Sequence, residues 1–152
     1  MKRDTRIVAG VLAAIATLIA GPALLCSWAI SAGASPAWRL PFRVFCHGIA
    51  ERSLAVFGES MPICARCLAI YAGLIIGIAV FALWPRIQEH AARMFLFAAL
   101  LPIGIDGLTQ AAGLRTSTNV LRLATGATVA IAFAVWALAA VEHRDETAVS
   151  TS

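Results

Sequence analysis

Residues 63–84 read ICARCLAIYAGLIIGIAVFALW, and this stretch decides the fold class. A helix needs about 20 mostly apolar residues to cross roughly 30 Å of hydrocarbon. Four stretches qualify, and the predicted spans are residues 7–30, 63–84, 94–113 and 120–141. Their apolar runs are continuous, whereas strands of a membrane barrel are apolar only at every second position. The sequence therefore predicts an all-α integral membrane bundle of about four transmembrane helices, with a reentrant or interfacial segment between helices one and two.

The overall composition excludes a soluble protein. The chain has 152 residues, a mean hydropathy of +0.85 and 13% charged residues, whereas soluble domains have about 25%. Residues 1–6 are predicted to form a basic tail, residues 7–141 a single transmembrane domain, and residues 142–152 a disordered polar tail. The first span is longer than the apolar core of a secretory signal, about 7–15 residues, which indicates a retained helix.

The charged residues indicate a membrane location and no nucleic acid partner. The formal charge is +4 and the pI about 9.3, but the longest basic run is Lys2-Arg3. Basic residues beside spans are typical of helix ends at the lipid headgroups. We expect a multi-pass protein of the inner (plasma) membrane, surrounded by the lipid bilayer. The first helix often dominates orientation, so Lys2, Arg3 and Arg6 favour a cytoplasmic N-terminus, although the two faces carry equal numbers of basic residues in total.

Small residues predict how two of the helices pack. Gly73 and Gly77 on helix two have the small-xxx-small spacing that lets backbones approach closely. Ala69 extends this row by one turn. Helix four carries a similar row, Gly126, Ala130 and Ala134. We interpret both rows as bundle packing without chemistry.

Four candidate metal ligands lie around the start of helix two. Cys46 and His47 precede it, and Cys64 and Cys67 form a Cys-x-x-Cys motif at its beginning. Up-and-down topology brings them to one membrane face, and three thiolates with one imidazole are a known structural zinc set. Because Cys46 and His47 are adjacent, their side chains diverge. Two alternatives stay open: redox chemistry at a helix-stabilised thiolate, with Cys26 as partner for Cys46, and cysteines that only fill the core.

A second polar group is predicted at the same face. Asp106 lies nine residues before Arg115, which places its carboxylate about 13 Å below the end of helix three. An acid at that depth usually faces the bundle interior and has a partner, and Arg122 is the predicted one. The alternatives are a purely structural ion pair and ordinary interfacial arginines. Surplus guanidinium groups would hold a phosphate or carboxylate, so the predicted ligand-binding residues are Arg66, Asp106, Gln110, Arg115, Asn119 and Arg122.

These residues together resemble a family of prokaryotic polytopic membrane proteins, the domain of unknown function 2085 type. The family pattern has a Cys-His pair, a Pro-x-Cys-x-Arg-Cys segment, an Asp-Gly-x-Thr-Gln segment and an Asn-x-Leu-Arg segment. This chain matches in that order, with Cys46-His47, Glu51-Arg52-Ser53, Pro62 to Cys67, Tyr71 to Gly73, Asp106 to Gln110, Asn119 to Arg122 and Thr125-Gly126. The resemblance implies that these positions act as a unit, and it supplies no reaction.

Three functions agree with these patterns. The favoured one is a zinc site on Cys46, His47, Cys64 and Cys67 beside a pocket for an anionic lipid or phosphorylated ligand. The second is a membrane thiol–disulfide oxidoreductase that uses Cys64 and Cys67 with a quinone cofactor. The third is a small transporter or accessory subunit that uses Asp106 and, as a small bundle, would need to form a homo-oligomer. If the protein is an enzyme, the catalytic candidates are Cys64, Cys67 and Asp106.

Overall fold

The computed structural model describes the backbone of residues 1–150 and the side chains of residues 1–144. Its four long helices are α1 (Arg3–Ser31), α2 (Ala65–Leu83), α3 (Glu89–Ala111) and α4 (Asn119–Ser150). By length and composition, all four can cross a membrane. The prediction of an all-α membrane bundle with four spans is confirmed.

The helix ends differ from the predicted spans. α1 begins inside the basic segment predicted as a tail, and α3 begins at Glu89 rather than residue 94. α2 begins at Ala65, because Cys64 has an extended backbone with a ψ of 159° and still belongs to the preceding strand. Cys64 therefore caps the helix, whereas the predicted span placed it inside.

The polar tail that was predicted from residue 142 begins inside α4. α4 continues to Ser150. The Glu142 carboxylate accepts hydrogen bonds from the Thr5 hydroxyl at 2.5 Å and the Lys2 backbone N–H at 3.1 Å. These contacts hold the first turn of α1 against α4. Residues 151–152 lie outside the described residues, and the prediction of disorder stays a prediction there.

The closest helix pair is α2 with α4, and glycine makes it possible. A Cβ atom on Gly73 would lie 2.8 Å from the carbonyl oxygen of Ala127 and from Cβ of Ala130. A Cβ atom on Gly77 would lie 2.7 Å from Cβ of Ala134. No real side chain tolerates such distances, so the backbones meet because both positions are glycine. The predicted packing of the two small-residue rows is confirmed.

α1 and α3 pack on this central pair. α3 lies mainly along α4, and α1 contacts both α2 and α4. The interior is built mostly from alanine, with Phe81 and Leu138 as fully buried large side chains. Larger apolar residues point outward, for example Leu18 and Leu101. In a bilayer, these outward-facing side chains contact lipid, and small residues at the helix contacts are typical of membrane bundles.

The connection between α1 and α2 is folded, and it builds one face of the protein. A 3₁₀ helix covers Pro36–Val44, and a second short one covers Ala50–Arg52. Strands β1 (Ser53–Val56) and β2 (Glu59–Cys64) then form an antiparallel hairpin. The predicted reentrant or interfacial segment is thus a pair of 3₁₀ turns with a hairpin. Sequence analysis did not predict the two strands.

The hairpin is tied to its surroundings on both sides. Arg39 forms an ion pair with Glu59 at 2.7 Å, which joins the first 3₁₀ helix to β2. Asn119 donates a hydrogen bond to the carbonyl oxygen of Ser53 at 3.3 Å, which joins α4 to β1. Met61 and Ile63 of β2 are about 1% exposed and pack in one cluster with Cys46. The connection is therefore anchored to the helix bundle.

Candidate functional site

Three cysteines meet where β2 runs into α2. The Sγ atoms of Cys46, Cys64 and Cys67 all lie within 4.8 Å of one another. The Cys46 sulfur accepts a hydrogen bond from the backbone N–H of Cys64 at 3.2 Å, which places the loop cysteine against the start of the helix. Cys46 is buried, while Cys64 and Cys67 are half-buried. Three of the four predicted metal ligands are therefore together.

His47 and Cys26 are not part of this sulfur cluster. His47 is outside the group whose ligand atoms converge, as expected for a residue whose side chain diverges from that of Cys46. It does line the same cavity of about 240 Å³ as the three cysteines. Cys26 is buried on α1 and lines a different, apolar cavity with Trp28 and Trp38.

The Cys64 sulfur lies in an environment that favours the thiolate. The hydrogen bond from the Cys67 side chain is the largest cause, and it lowers the pKa of Cys64 to about 5. Partial burial opposes this change, while hydrogen bonds from the backbone N–H groups of Cys67 and Arg66 add to it. Backbone donors of this kind are available at a helix N-terminus.

Asp106 is the centre of the second polar group, and its partners correct the sequence prediction. The carboxylate is 2% exposed and forms ion pairs with Arg66 and Arg115, the latter at 2.6 Å. It also accepts hydrogen bonds from the side chains of Gln110 at 3.0 Å and Ser117 at 3.1 Å. Arg122, the predicted partner, is not bonded to it. Arg66 and Arg115 were predicted only as ligand-binding residues, and both are paired with Asp106 in place of Arg122.

The depth of Asp106 is also smaller than predicted. α3 ends at Ala111, and Gly113 adopts a positive φ of 70° where the chain turns back. Asp106 is thus only five residues from the helix end, or about 7 Å at 1.5 Å per residue. The reversal brings Arg115 back onto the carboxylate. Counting residues to Arg115 overestimated the depth because those residues are not all helical.

Arg122 is buried and has no carboxylate partner among the side chains that the structure describes. The side chain is 6% exposed and donates hydrogen bonds to Asn119 Oδ1 at 2.9 Å and to Gln110 Oε1 at 3.1 Å. Both acceptors are neutral. Gln110 links the two halves of the network, because its amide nitrogen donates to Asp106 and its oxygen accepts from Arg122. The six predicted ligand-binding residues therefore form one connected network.

Three cavities join the cysteines to this network. The cavity at the cysteines also contacts Arg52 and Arg66. A second, of about 220 Å³, is lined by both arginines and Gln110. A third, of about 630 Å³, is lined by several polar residues, among them Glu51, Arg52, Gln110, Arg115, Ser117 and Arg122.

Arg52 lines all three cavities, yet it was not among the predicted site residues. The available signal was its place in the Glu51-Arg52-Ser53 segment of the family pattern. Nothing else in the sequence distinguishes Arg52 from the other arginines predicted at this face. The hairpin places it beside the network, since Asn119 bonds to the carbonyl oxygen of the next residue, Ser53.

Comparisons with known proteins agree with the motif pattern. Residues 46–136 match a family described as "Predicted membrane protein (DUF2085)". An uncharacterized protein of Methanothermobacter thermautotrophicus is 37% identical over 94 residues, or 62% of this chain and 85% of that protein. An uncharacterized protein of Methanocaldococcus jannaschii is 37% identical over 87 residues, and the chain spans only 56% of its length. No solved structure matches the chain. The resemblance predicted from the motifs is confirmed, and the chain belongs to the DUF2085 family of predicted membrane proteins.

Proposed function

We propose that the protein is a membrane metal-binding module, with zinc held by Cys46, Cys64 and Cys67. The convergence of the three sulfurs within 4.8 Å carries this proposal. In a tetrahedral site with Zn–S bonds of about 2.3 Å, sulfurs lie about 3.8 Å apart. Small side-chain movements would therefore bring the three sulfurs to zinc-binding distances. Thiolate ligands favour zinc over hard cations such as magnesium.

The fourth coordination position is open to two kinds of ligand. His47 lines the same cavity and would complete a closed structural site if its side chain turned toward the sulfurs. Without His47, the position faces a cavity lined by Arg52 and Arg66, and a water or an anionic ligand would occupy it. Three-ligand sites of this kind are typical of catalytic zinc.

The arginine network beside the cysteines supports a binding site for an anionic lipid or phosphorylated ligand. Arg122 is buried with only neutral hydrogen-bond acceptors. Arg66 has a buried Nε–H group without a hydrogen-bond partner among the described residues. Buried charges and donors of this kind are costly unless a partner satisfies them. Guanidinium groups match the geometry of phosphate and carboxylate oxygens.

Metal content per chain tests the proposal directly. In detergent-purified protein, elemental analysis is expected to find about one zinc per chain, and Cys64→Ser is expected to lose it. Cys26→Ser is the matched control, because Cys26 is buried outside the cluster, and it should keep its zinc. Native protein without stoichiometric metal would overturn the proposal. His47→Ala then separates the two fourth ligands, since only a closed site loses affinity in this variant.

Thiol–disulfide exchange is a second candidate, favoured by the same short distances. Cys64 and Cys67 would lose two electrons and two protons to a quinone and form one S–S bond. This reaction needs sulfurs that approach each other freely, whereas bound zinc would hold them apart. Mass spectrometry of native membranes distinguishes the two. A Cys64–Cys67 disulfide in metal-free protein supports exchange, and reduced cysteines with bound zinc exclude it.

The transporter hypothesis receives less support from the site. Asp106 would have to exchange a proton or an ion, yet two arginines and two neutral donors surround its carboxylate. We propose that Asp106 holds the arginines in place. The plasma membrane location and the cytoplasmic N-terminus belong to this proposal as well.

A further inference from the structure

We infer that Arg52, Arg115 and Arg122 bind the phosphoryl group of a phosphomonoester. The inference rests on the anionic-ligand part of the proposed function and narrows it to one chemical class. It also assigns Arg52, the arginine shared by the three cavities, to ligand binding. The metal proposal is independent of it.

The charges around the largest cavity are unbalanced. Glu51, Arg52, Arg115 and Arg122 line it, and Arg66 lines the neighbouring cavity. Asp106, which is bonded to Arg66 and Arg115, is the other carboxylate of the group. Four guanidinium groups against two carboxylates leave a formal excess of two positive charges. Zinc with three thiolates would add one negative charge nearby, so an excess remains with metal bound.

Water does not fully screen this excess of positive charge, because Arg122 is buried. It is more than nine-tenths buried, and its own hydrogen bonds go to neutral groups. Arg52 and Arg66 act on it electrostatically as like charges, while Asp106 and a Cys64 thiolate act on it as opposite charges. A buried cation that has other cations beside it destabilises the protein unless enough opposite charge lies nearby. An anion in the largest cavity would supply that charge.

The number and placement of the arginines favour a phosphomonoester over other anions. A phosphomonoester presents three terminal oxygens and nearly two negative charges at neutral pH. Three arginines from three separate segments line the cavity: Arg52 before β1, Arg115 in the α3–α4 loop and Arg122 in α4. A carboxylate or phosphodiester offers only two such oxygens and one negative charge.

The size of the cavity indicates an organic phosphate. Its volume is about 630 Å³, within the range of roughly 300–1,000 Å³ that small organic ligands occupy. A free phosphate ion would leave much of it empty. The cavity lies at the face of the bundle where helix ends meet headgroups, so the ester is either a lipid headgroup or a soluble molecule.

Calorimetric titration of the purified, full-length protein in nonionic detergent tests the inference. The probes are dioctanoyl phosphatidic acid, a lipid phosphomonoester; dioctanoyl phosphatidylglycerol, a lipid phosphodiester; and glycerol 3-phosphate, a soluble phosphomonoester. We expect at least one phosphomonoester to bind once per chain, about tenfold or more tighter than the phosphodiester. Binding of phosphatidic acid alone identifies a lipid ligand, and binding of glycerol 3-phosphate shows that the soluble group suffices.

Two arginine variants test whether phosphomonoesters bind at this site or only through the positive charge of the protein surface. Arg52→Gln should weaken phosphomonoester binding about tenfold or more, the range expected for one lost charge-assisted contact. Arg52 is exposed, so the variant should fold normally. Arg86→Gln is the matched control, an exposed arginine in the α2–α3 connection, and should bind as the native protein does. Equal affinity for both lipids, no binding of either phosphomonoester, or unchanged binding in Arg52→Gln would overturn the inference. Zinc measured in the same samples reports separately on the metal proposal.

Discussion

At the scale of single residues, Asp106 has the most side-chain partners in the candidate site. It receives two arginines and two neutral donors that come from α2, α3 and the α3–α4 loop. A carboxylate is tolerated in a buried place when opposite charges and hydrogen-bond donors surround it, as they do here. Removing the carboxylate charge would leave Arg66 and Arg115 without their counter-charge. We therefore expect Asp106 to anchor the site.

Asp106→Asn should lower the free energy of unfolding by about 1–3 kcal/mol, because it weakens charge-assisted hydrogen bonds from two arginines that are themselves partly exposed to solvent. Thermal unfolding in detergent, followed by circular dichroism, measures this. Asp4→Asn is the control, because Asp4 is exposed in the first turn of α1 and should change stability little. Equal stability of the two variants would contradict the anchoring role.

Residue pairing was the least predictable part of the site. The positions of Asp106 near the end of α3 and of Arg122 near the start of α4 predict that the two residues lie close together. Arg122 does belong to the network of Asp106, but it is connected through Gln110. The direct partners are Arg66 and Arg115, because Gly113 turns the chain back and β2 sets where α2 begins. Neither the turn at Gly113 nor the exact start of α2 can be recognised from the spacing of apolar residues in the sequence. Six members of the network were predictable from the sequence, whereas Ser117 and the partner of each member were not.

At the scale of elements, the contact between α2 and α4 organises the bundle. Its glycines allow the two backbones to touch, and Gly126 does the same at the site, where a Cβ atom would lie 2.8 Å from the carbonyl oxygen of Arg66. The contact thus fixes the start of α2, with Arg66 and Cys67, against the start of α4, with Arg122. Helix packing and site geometry depend on the same small residues.

Gly77→Ala should destabilise the bundle by about 1–3 kcal/mol, since the new methyl group would overlap Cβ of Ala134 and force the helices apart. Gly104→Ala is the control: it lies inside α3 and nothing surrounds its Cβ position within 4 Å. That variant should be neutral or slightly more stable, because alanine favours helix. The difference in unfolding temperature between the two variants measures the effect, and similar temperatures would contradict it.

At the scale of the whole molecule, four spans place the cysteine and arginine site on the face opposite the chain termini. The charge distribution decides orientation only through the first helix, where Lys2, Arg3 and Arg6 favour the cytoplasm. The site would then face the side of the membrane away from the cytoplasm. This matters for the chemistry, since cysteines outside the cytoplasm form disulfides more readily.

Reporter fusions test the orientation. A fluorescent protein fused after residue 152 should fluoresce, whereas alkaline phosphatase at the same place should be inactive, because the phosphatase needs an oxidising compartment. Fusion of the phosphatase after Leu114, in the α3–α4 loop, is the matched control and should be active. The reversed pattern would place the site in the cytoplasm and favour the metal over disulfide chemistry.

The sequence by itself determined the membrane class, the number of spans and the face on which the cysteine and arginine motifs gather. Hydrocarbon demands long apolar helices with every backbone group bonded internally, so composition alone reveals them. Up-and-down topology then brings distant motifs to one face. Only the tertiary structure decided that three cysteines converge without His47, that Arg66 and Arg115 hold Asp106, and that Arg52 joins the cavities. These depend on helix rotation and on the path of the hairpin, which many distant contacts set together.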